Sequence, residues 1–190
     1  MVSVLGNLWY TNRGPFQGNR VAGVPSGHMR VDHPQTGHFD LISLMLANYG
    51  GVSYNFYGSR VHVYIAYYER DELVLRELVT GISTAEPYQL SGSMVWGITT
   101  EGGARRELRA MASIGGGVAS SYFDFSQLDF NYGSSAGGWA TLEDTRIELG
   151  HRYVLRIWQT GTTFWTHADF FDPEVLRESE QTAILYIVFE

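Results

Sequence analysis

The hydropathy of this chain repeats every two residues and almost nowhere with the period of a helix. Over residues 60–69, Val61, Val63, Ile65 and Tyr67 alternate with Arg60, His62, Tyr64, Ala66 and Tyr68. Successive side chains of a strand point to opposite faces, so such a run describes a strand with one face in a core. Comparable runs lie at 39–47, 52–57 and 73–79, and at 107–114, where Leu108, Ala110, Ala112 and Ile114 share a face. Residues 88–90 and 94–99 flank Ser91-Gly92-Ser93, which reads as a turn, and Gly115-Gly116-Gly117 breaks the chain before 118–125. Residues 151–160 alternate Tyr153, Leu155 and Ile157 with Arg152, Val154, Arg156 and Trp158, and Gly161 turns them into 162–170. The last run, 182–189, is apolar on both faces, which marks a central strand or one covered by a neighbouring subunit.

A single helix is predicted. Asp172-Pro173-Glu174 supplies an acidic cap and a proline at the first helical position, and the helix has room only to Glu180. Many short strands with one short helix predict an all-β chain, a single jelly roll or β-sandwich with that helix near the C-terminus. Residues 1–36, rich in Gly, Pro, Asn and Arg, read as an N-terminal arm or extended loop, and residues 37–190 as the sandwich domain.

Composition narrows the functions. Cysteine is absent, which excludes disulfides, thiolate metal sites and a cysteine nucleophile. Acids number 20 against 13 bases, a net charge of −7, whereas binding a nucleic-acid backbone requires a basic surface. The one arginine cluster, Arg105, Arg106 and Arg109, has Glu101 and Glu107 beside it, as on a solvated face. Every basic residue is an arginine, a bias that a GC-rich genome or a high-salt host would each produce. The near-continuous apolar run at 41–47 contains Ser43 and falls far short of the ~20 residues of a membrane helix. The N-terminus has no basic region followed by an apolar one, so no signal peptide is expected.

Catalytic and metal motifs are weak. His28, His33 and His38 stand five apart near Asp32 and Asp40, a spacing that puts strand residues on opposite faces, and no His-x-His pair of the cupin type is present. Asp169, Asp172 and Glu174 could offer oxygens to calcium, but Asp172 has the simpler role of helix cap. Glu69, Asp71, Glu72 and Glu77 are neighbours at a strand end, where a solvated turn is expected rather than a facing carboxylate pair. Gly51-Val52-Ser53-Tyr54-Asn55 lacks the second glycine of a nucleophile elbow, and a phosphate loop ending in Gly-Lys is impossible without lysine. No catalytic residue, cofactor or metal ligand is therefore assigned, and the chain is read as non-enzymatic.

The aromatics stand out: 12 tyrosines, 10 phenylalanines and 5 tryptophans. Tyr49, Tyr54, Tyr57, Tyr64, Tyr67 and Tyr68 cluster in one stretch, and such residues serve either a core or an interface with one wet side. A sugar-binding face of stacked rings is the rival use.

Two segments carry a resemblance. The run Arg146-Ile147-Glu148-Leu149-Gly150-His151-Arg152-Tyr153-Val154-Leu155-Arg156-Ile157 is similar to a late strand of virion β-sandwich proteins of prokaryotic viruses, and Tyr67-Tyr68-Glu69 resembles an earlier strand end in them. With its size and lack of lysine, the chain resembles the small major capsid protein of membrane-containing icosahedral viruses of haloarchaea and Thermus, an upright single jelly roll. The resemblance implies a capsid subunit located in the virion, with self-association, a second capsid protein and an underlying viral membrane as its contacts. No nucleic acid and no small-molecule substrate would be bound directly. The alternative is a carbohydrate-binding β-sandwich module using an aromatic face. For the capsid reading, the arm, particularly residues 2–10, is expected to add a strand to a neighbouring subunit.

Overall fold

A computed structural model of the chain describes residues 24–31, 46–101, 105–114, 117–125, 128, 136–138, 145–160 and 169–190. Among the described residues the protein is an all-β sandwich with one short helix, near the C-terminus. Its strands are β1 (His28–Val31), β2 (Leu46–Glu69), β3 (Glu72–Glu101), β4 (Arg105–Ile114), β5 (Gly117–Asp124), β6 (Ala136–Gly138), β7 (Thr145–Arg146), β8 (Arg152–Thr160) and β9 (Gln181–Phe189). They form one antiparallel sheet in the order β5-β4-β3-β2-β9-β8-β6, with β1 bridging β2 and β7.

Two strands dominate. At about 3.3 Å per residue, the 24 residues of β2 would run ~80 Å if straight, roughly twice the ~40 Å width of a domain this size. The strands must fold over, and irregularities mark where. The apolar phase of β2 changes from Val52, Tyr54 and Phe56 to Val61, Val63, Ile65 and Tyr67, and all seven residues lie in the same core. The inward face switches at the register shift between Gly58 and Arg60, where Ser59 of β2 and residues 84–87 of β3 fall outside the pairing. There the Ser59 and Arg60 amides both donate to the Glu190 carbonyl, at 2.6 and 2.8 Å, and the Glu190 amide donates to the Arg60 carbonyl at 2.9 Å. Gly58 is required at this bulge, because a Cβ would collide with the Phe56 ring and stand 2.6 Å from the Glu190 carbonyl oxygen.

The interior lies between the two halves of the folded sheet. Phe189 on β9 meets Phe56, Tyr54 and Tyr153 edge-on, with centroids 4.9, 5.6 and 5.9 Å apart. Phe125, just past β5, meets Trp158 on β8 at 5.3 Å. The Ser121 hydroxyl donates to the Val79 carbonyl, so β5 touches the far half of β3, which is not its neighbour in the sheet. β9 sits between β2 and β8 and is buried on both faces, as a central strand.

Three expectations change. Ser91-Gly92-Ser93 is no turn: β3 runs through it, pairing Gly92 with both Tyr54 and Ile114. Its glycine permits close approach, since a Cβ would strike the Ser113 carbonyl oxygen and lie 3.0 Å from the Tyr54 hydroxyl. The separate runs at 52–57 and 60–69 are one strand, as are 73–79, 88–90 and 94–99. The segment read as an arm contributes a sheet strand, β1, whose Met29 is fully buried. Residues 2–10 of that arm, and most of the runs at 39–47 and 162–170, lie outside the described residues.

The helix α1 (Pro173–Arg177) is shorter than the run to Glu180. Asp172 caps it, accepting from the Glu174 amide at 2.9 Å. On β8, the Tyr153 hydroxyl accepts from the Glu148 amide at 2.6 Å and donates to the Arg146 carbonyl at 3.1 Å. One buried ring thus fastens the turn preceding its own strand, much as tyrosine corners do in other sandwiches.

Candidate interaction surface

The outer face of β2–β5 is built by register. Residues alternating with the core positions of β4 are Glu107, Arg109, Met111 and Ser113, and opposite them on β5 stand Asp124, Tyr122, Ser120 and Val118. On the β3 side the same rows continue through Thr99, Gly97, Val95 and Ser93. Gly97 leaves a trough, and the result is a cleft of about 720 Å³ lined by Tyr49, Val95, Trp96, Glu107, Arg109, Met111, Ser120 and Tyr122, among others.

The two charged side chains of the cleft pair with each other. Arg109 bridges to Glu107 through Nη2 at 3.1 Å and Nε at 3.3 Å. Farther along the same face, outside the cleft, the Ser93 and Ser113 hydroxyls are 2.9 Å apart. Arg109 is thus paired on an exposed face, as its neighbouring acids predicted, while Arg105 and Arg106 are paired by backbone with Glu101 and Thr100. The unusual feature is apolar exposure: Tyr122 is 68% exposed, Val118 64% and Met111 44%.

The opposite outer face, on β2, β8 and β9, is closed. Ala66, Tyr68, Val154, Ile157, Ile184, Tyr186 and Val188 form a second apolar cluster under Leu176 of α1, with Phe170 and Phe171 beside it. Tyr64 stacks on Tyr186 at 5.5 Å, Phe171 meets Tyr186 edge-on at 5.1 Å, and Arg76 lies 4.5 Å above the Tyr64 ring. Arg152 lies 3.9 Å above Phe171. Burial raises the pKa of the Tyr68 and Tyr186 phenols, with Arg152 and Arg76 opposing the shift.

The six clustered tyrosines divide. Tyr54, Tyr67 and Tyr68 are buried, Tyr49 and Tyr64 half-buried, and Tyr57 exposed. Burial pushes the Tyr54 phenol strongly upward, and its hydroxyl has no hydrogen-bond partner among the described residues.

The described candidates for metal ligands do not gather at one point. His28 sits on β1 with Nδ1 3.1 Å from the Ser26 carbonyl, and His33 and His38 lie outside the described residues. Asp169 accepts from the Phe171 amide at 2.9 Å, Asp172 caps α1, and Asp71 pairs with Arg177 at 2.7 Å. The hydrogen bond from Arg177 holds the Asp71 carboxyl below its ordinary pKa. Among the described residues no three His, Asp or Glu side chains gather as a metal site. No helix among them is long and apolar enough to cross a membrane.

Sequence reasoning passed over Met111, Val118 and Tyr122. Met111 was visible as an apolar residue on the polar side of an alternating strand. Comparison with protein-family models, curated proteins and solved structures finds no match.

Proposed function

We propose that this chain is a structural subunit that self-associates through its sheet surfaces to build a virion capsid. The observation that carries the reading is the apolar surface on β4 and β5, where Met111, Val118 and Tyr122 face outward in a chain of net charge −7. The similarity of residues 146–157 to a virion-protein strand, and the sandwich fold itself, support the capsid assignment. Contacts with a second capsid protein and with an underlying membrane belong to the same proposal.

Acidic subunits repel, and salt shortens that repulsion from about 10 Å at 0.1 M to about 3 Å at 1 M, while apolar contacts persist. Sedimentation and electron microscopy of the purified full chain should therefore show assemblies that grow as NaCl is raised. Removing residues 1–12 should abolish shell formation and leave the sandwich folded. A chain that stays monomeric at every salt and protein concentration overturns the proposal.

The cleft favours a second reading, a carbohydrate-binding module in which Tyr122 offers an exposed ring beside Glu107 and Arg109. Micromolar glycan binding by a monomer, lost in Tyr122→Ala, would establish it in place of the first.

A further inference from the structure

We infer that β5 is a two-fold contact, pairing antiparallel with β5 of a second copy of this chain so that Ser120 faces Ser120 of that copy. The inference rests on the self-association reading above and names one of its contacts, separate from the arm.

Among the described residues β5 pairs only with β4, and none of them takes up the N–H and C=O groups of its other edge. Natural sheets usually protect such an edge with charge, proline or a very short strand. From Gly117 to Phe123 this strand, Gly-Val-Ala-Ser-Ser-Tyr-Phe, has no charge and no proline. In a chain of net charge −7, two copies can approach along this strand with little like-charge repulsion.

Register then selects the partner. A two-fold pairing must match outward residues with outward residues, and those of β5 are Val118, Ser120 and Tyr122. Centring the axis on Ser120 sets Val118 of each copy against Tyr122 of the other, twice, with Ser on Ser between. An aromatic residue opposite a β-branched one is a favourable cross-strand pair, and a contact that repeats its own pairs closes as an isologous dimer. Tyr122 would lie between Arg109 of its own chain and Val118 of the other, losing most of its exposure. The two sheets would join into one, and the two clefts would flank the axis.

The absence of cysteine makes the test clean. Residues directly opposite in an antiparallel pair have Cα atoms about 4.5–5.5 Å apart, within disulfide range. Full-length Ser120→Cys should give a disulfide dimer as its main product under mild oxidation. Val118→Cys alone should not, whereas Val118→Cys mixed with Tyr122→Cys should cross-link between chains. Tyr122→Glu should weaken dimerisation about tenfold or more while circular dichroism stays unchanged. If wild-type chains associate but Ser120→Cys does not cross-link, or Val118→Cys cross-links to itself as readily, this contact is wrong and the assembly reading stands. If wild-type chains never associate, both fall.

Discussion

On one side of the folded sheet, the outer face of β2, β8 and β9 carries Tyr64, Ala66, Tyr68, Val154, Ile184 and Tyr186 beneath Phe171 and α1. On the other, the outer face of β3–β5 carries Ser93, Gly97, Arg109, Ser120 and Tyr122, and its cleft is open. Both faces are built of strands of one sheet, so strand propensity does not separate them. What separates them is a covering segment. The closed face is clamped by the Asp172-capped helix, whose Arg177 reaches Asp71 at the β2–β3 hairpin, while the Glu180 carbonyl accepts from the Arg70 amide. The open face has apolar side chains and no such segment among the described residues. A sheet face that a chain covers for itself contributes to its stability, whereas apolar residues left outward are available to a partner.

The sharpest break of that contrast is Tyr186→Ala. Tyr186 is buried between Tyr64 and Phe171 beneath Arg76, and truncating it should cost about 3–5 kcal/mol in urea unfolding. A loss below about 1 kcal/mol would mean that the covered face is no second core. The cap is worth less. Asp172→Ala should cost about 1 kcal/mol, with the near-ultraviolet signal of the aromatic ladder reporting whether Phe171 shifts as the helix start loosens.

How far these faces could be read from the sequence varied with the kind of signal. Alternation at 60–69 and 107–114 gave the inward residues correctly, because burial of one face imposes period two directly. The two-faced apolar run at 182–189 foretold the central position of β9. Asp172-Pro173 marked the helix start, since a cap is a local device. The bulge was written as the phase change from Phe56 to Val61, yet it read as a strand break, because bulge and turn use the same small residues. Gly92 misled for the same reason: a glycine that admits a neighbouring carbonyl is indistinguishable in one dimension from a glycine that turns. Outward Tyr122 and inward Tyr54 are the same residue type in strands, and only the sheet's folding assigns one to solvent and the other to the core. β1 was hidden in a stretch too short and glycine-rich to show a period.

On the open face the expected effect on folding is small and that on association large. Tyr122→Ser should leave unfolding stability within about 0.5 kcal/mol of wild type, because the ring is mostly solvated. Its association, followed by sedimentation velocity, should fall sharply. Should Tyr122→Ser instead destabilise the monomer as much as Asp172→Ala, the ring belongs to the fold and the contrast between the faces fails.

The smallest effect is at the edge of the closed face, where His62 links the ladder to β3. Its Nε2 lies 3.0 Å from the Ser83 hydroxyl and its Nδ1 3.3 Å from that of Tyr64, with the two rings edge-on at 5.9 Å. Burial lowers its pKa below 6.5, Glu190 opposes the shift and Arg60 adds to it. The unfolded chain therefore binds a proton at a higher pH than the folded one. The stability this provides is complete above about 6.5 and is lost as pH falls through that value towards the lower folded pKa. A second proton on the ring also removes the nitrogen lone pair available to Tyr64 or Ser83, which acts in the same direction. The chain holds 6 histidines, so the test is a difference: wild type minus His62→Gln, by urea unfolding from pH 8 to pH 5. The difference should be flat above pH 7 and shrink, to the disadvantage of wild type, below about 6.5. A difference that grows on acidification would place the charged imidazole in a favourable site, with Glu190 rather than burial controlling it.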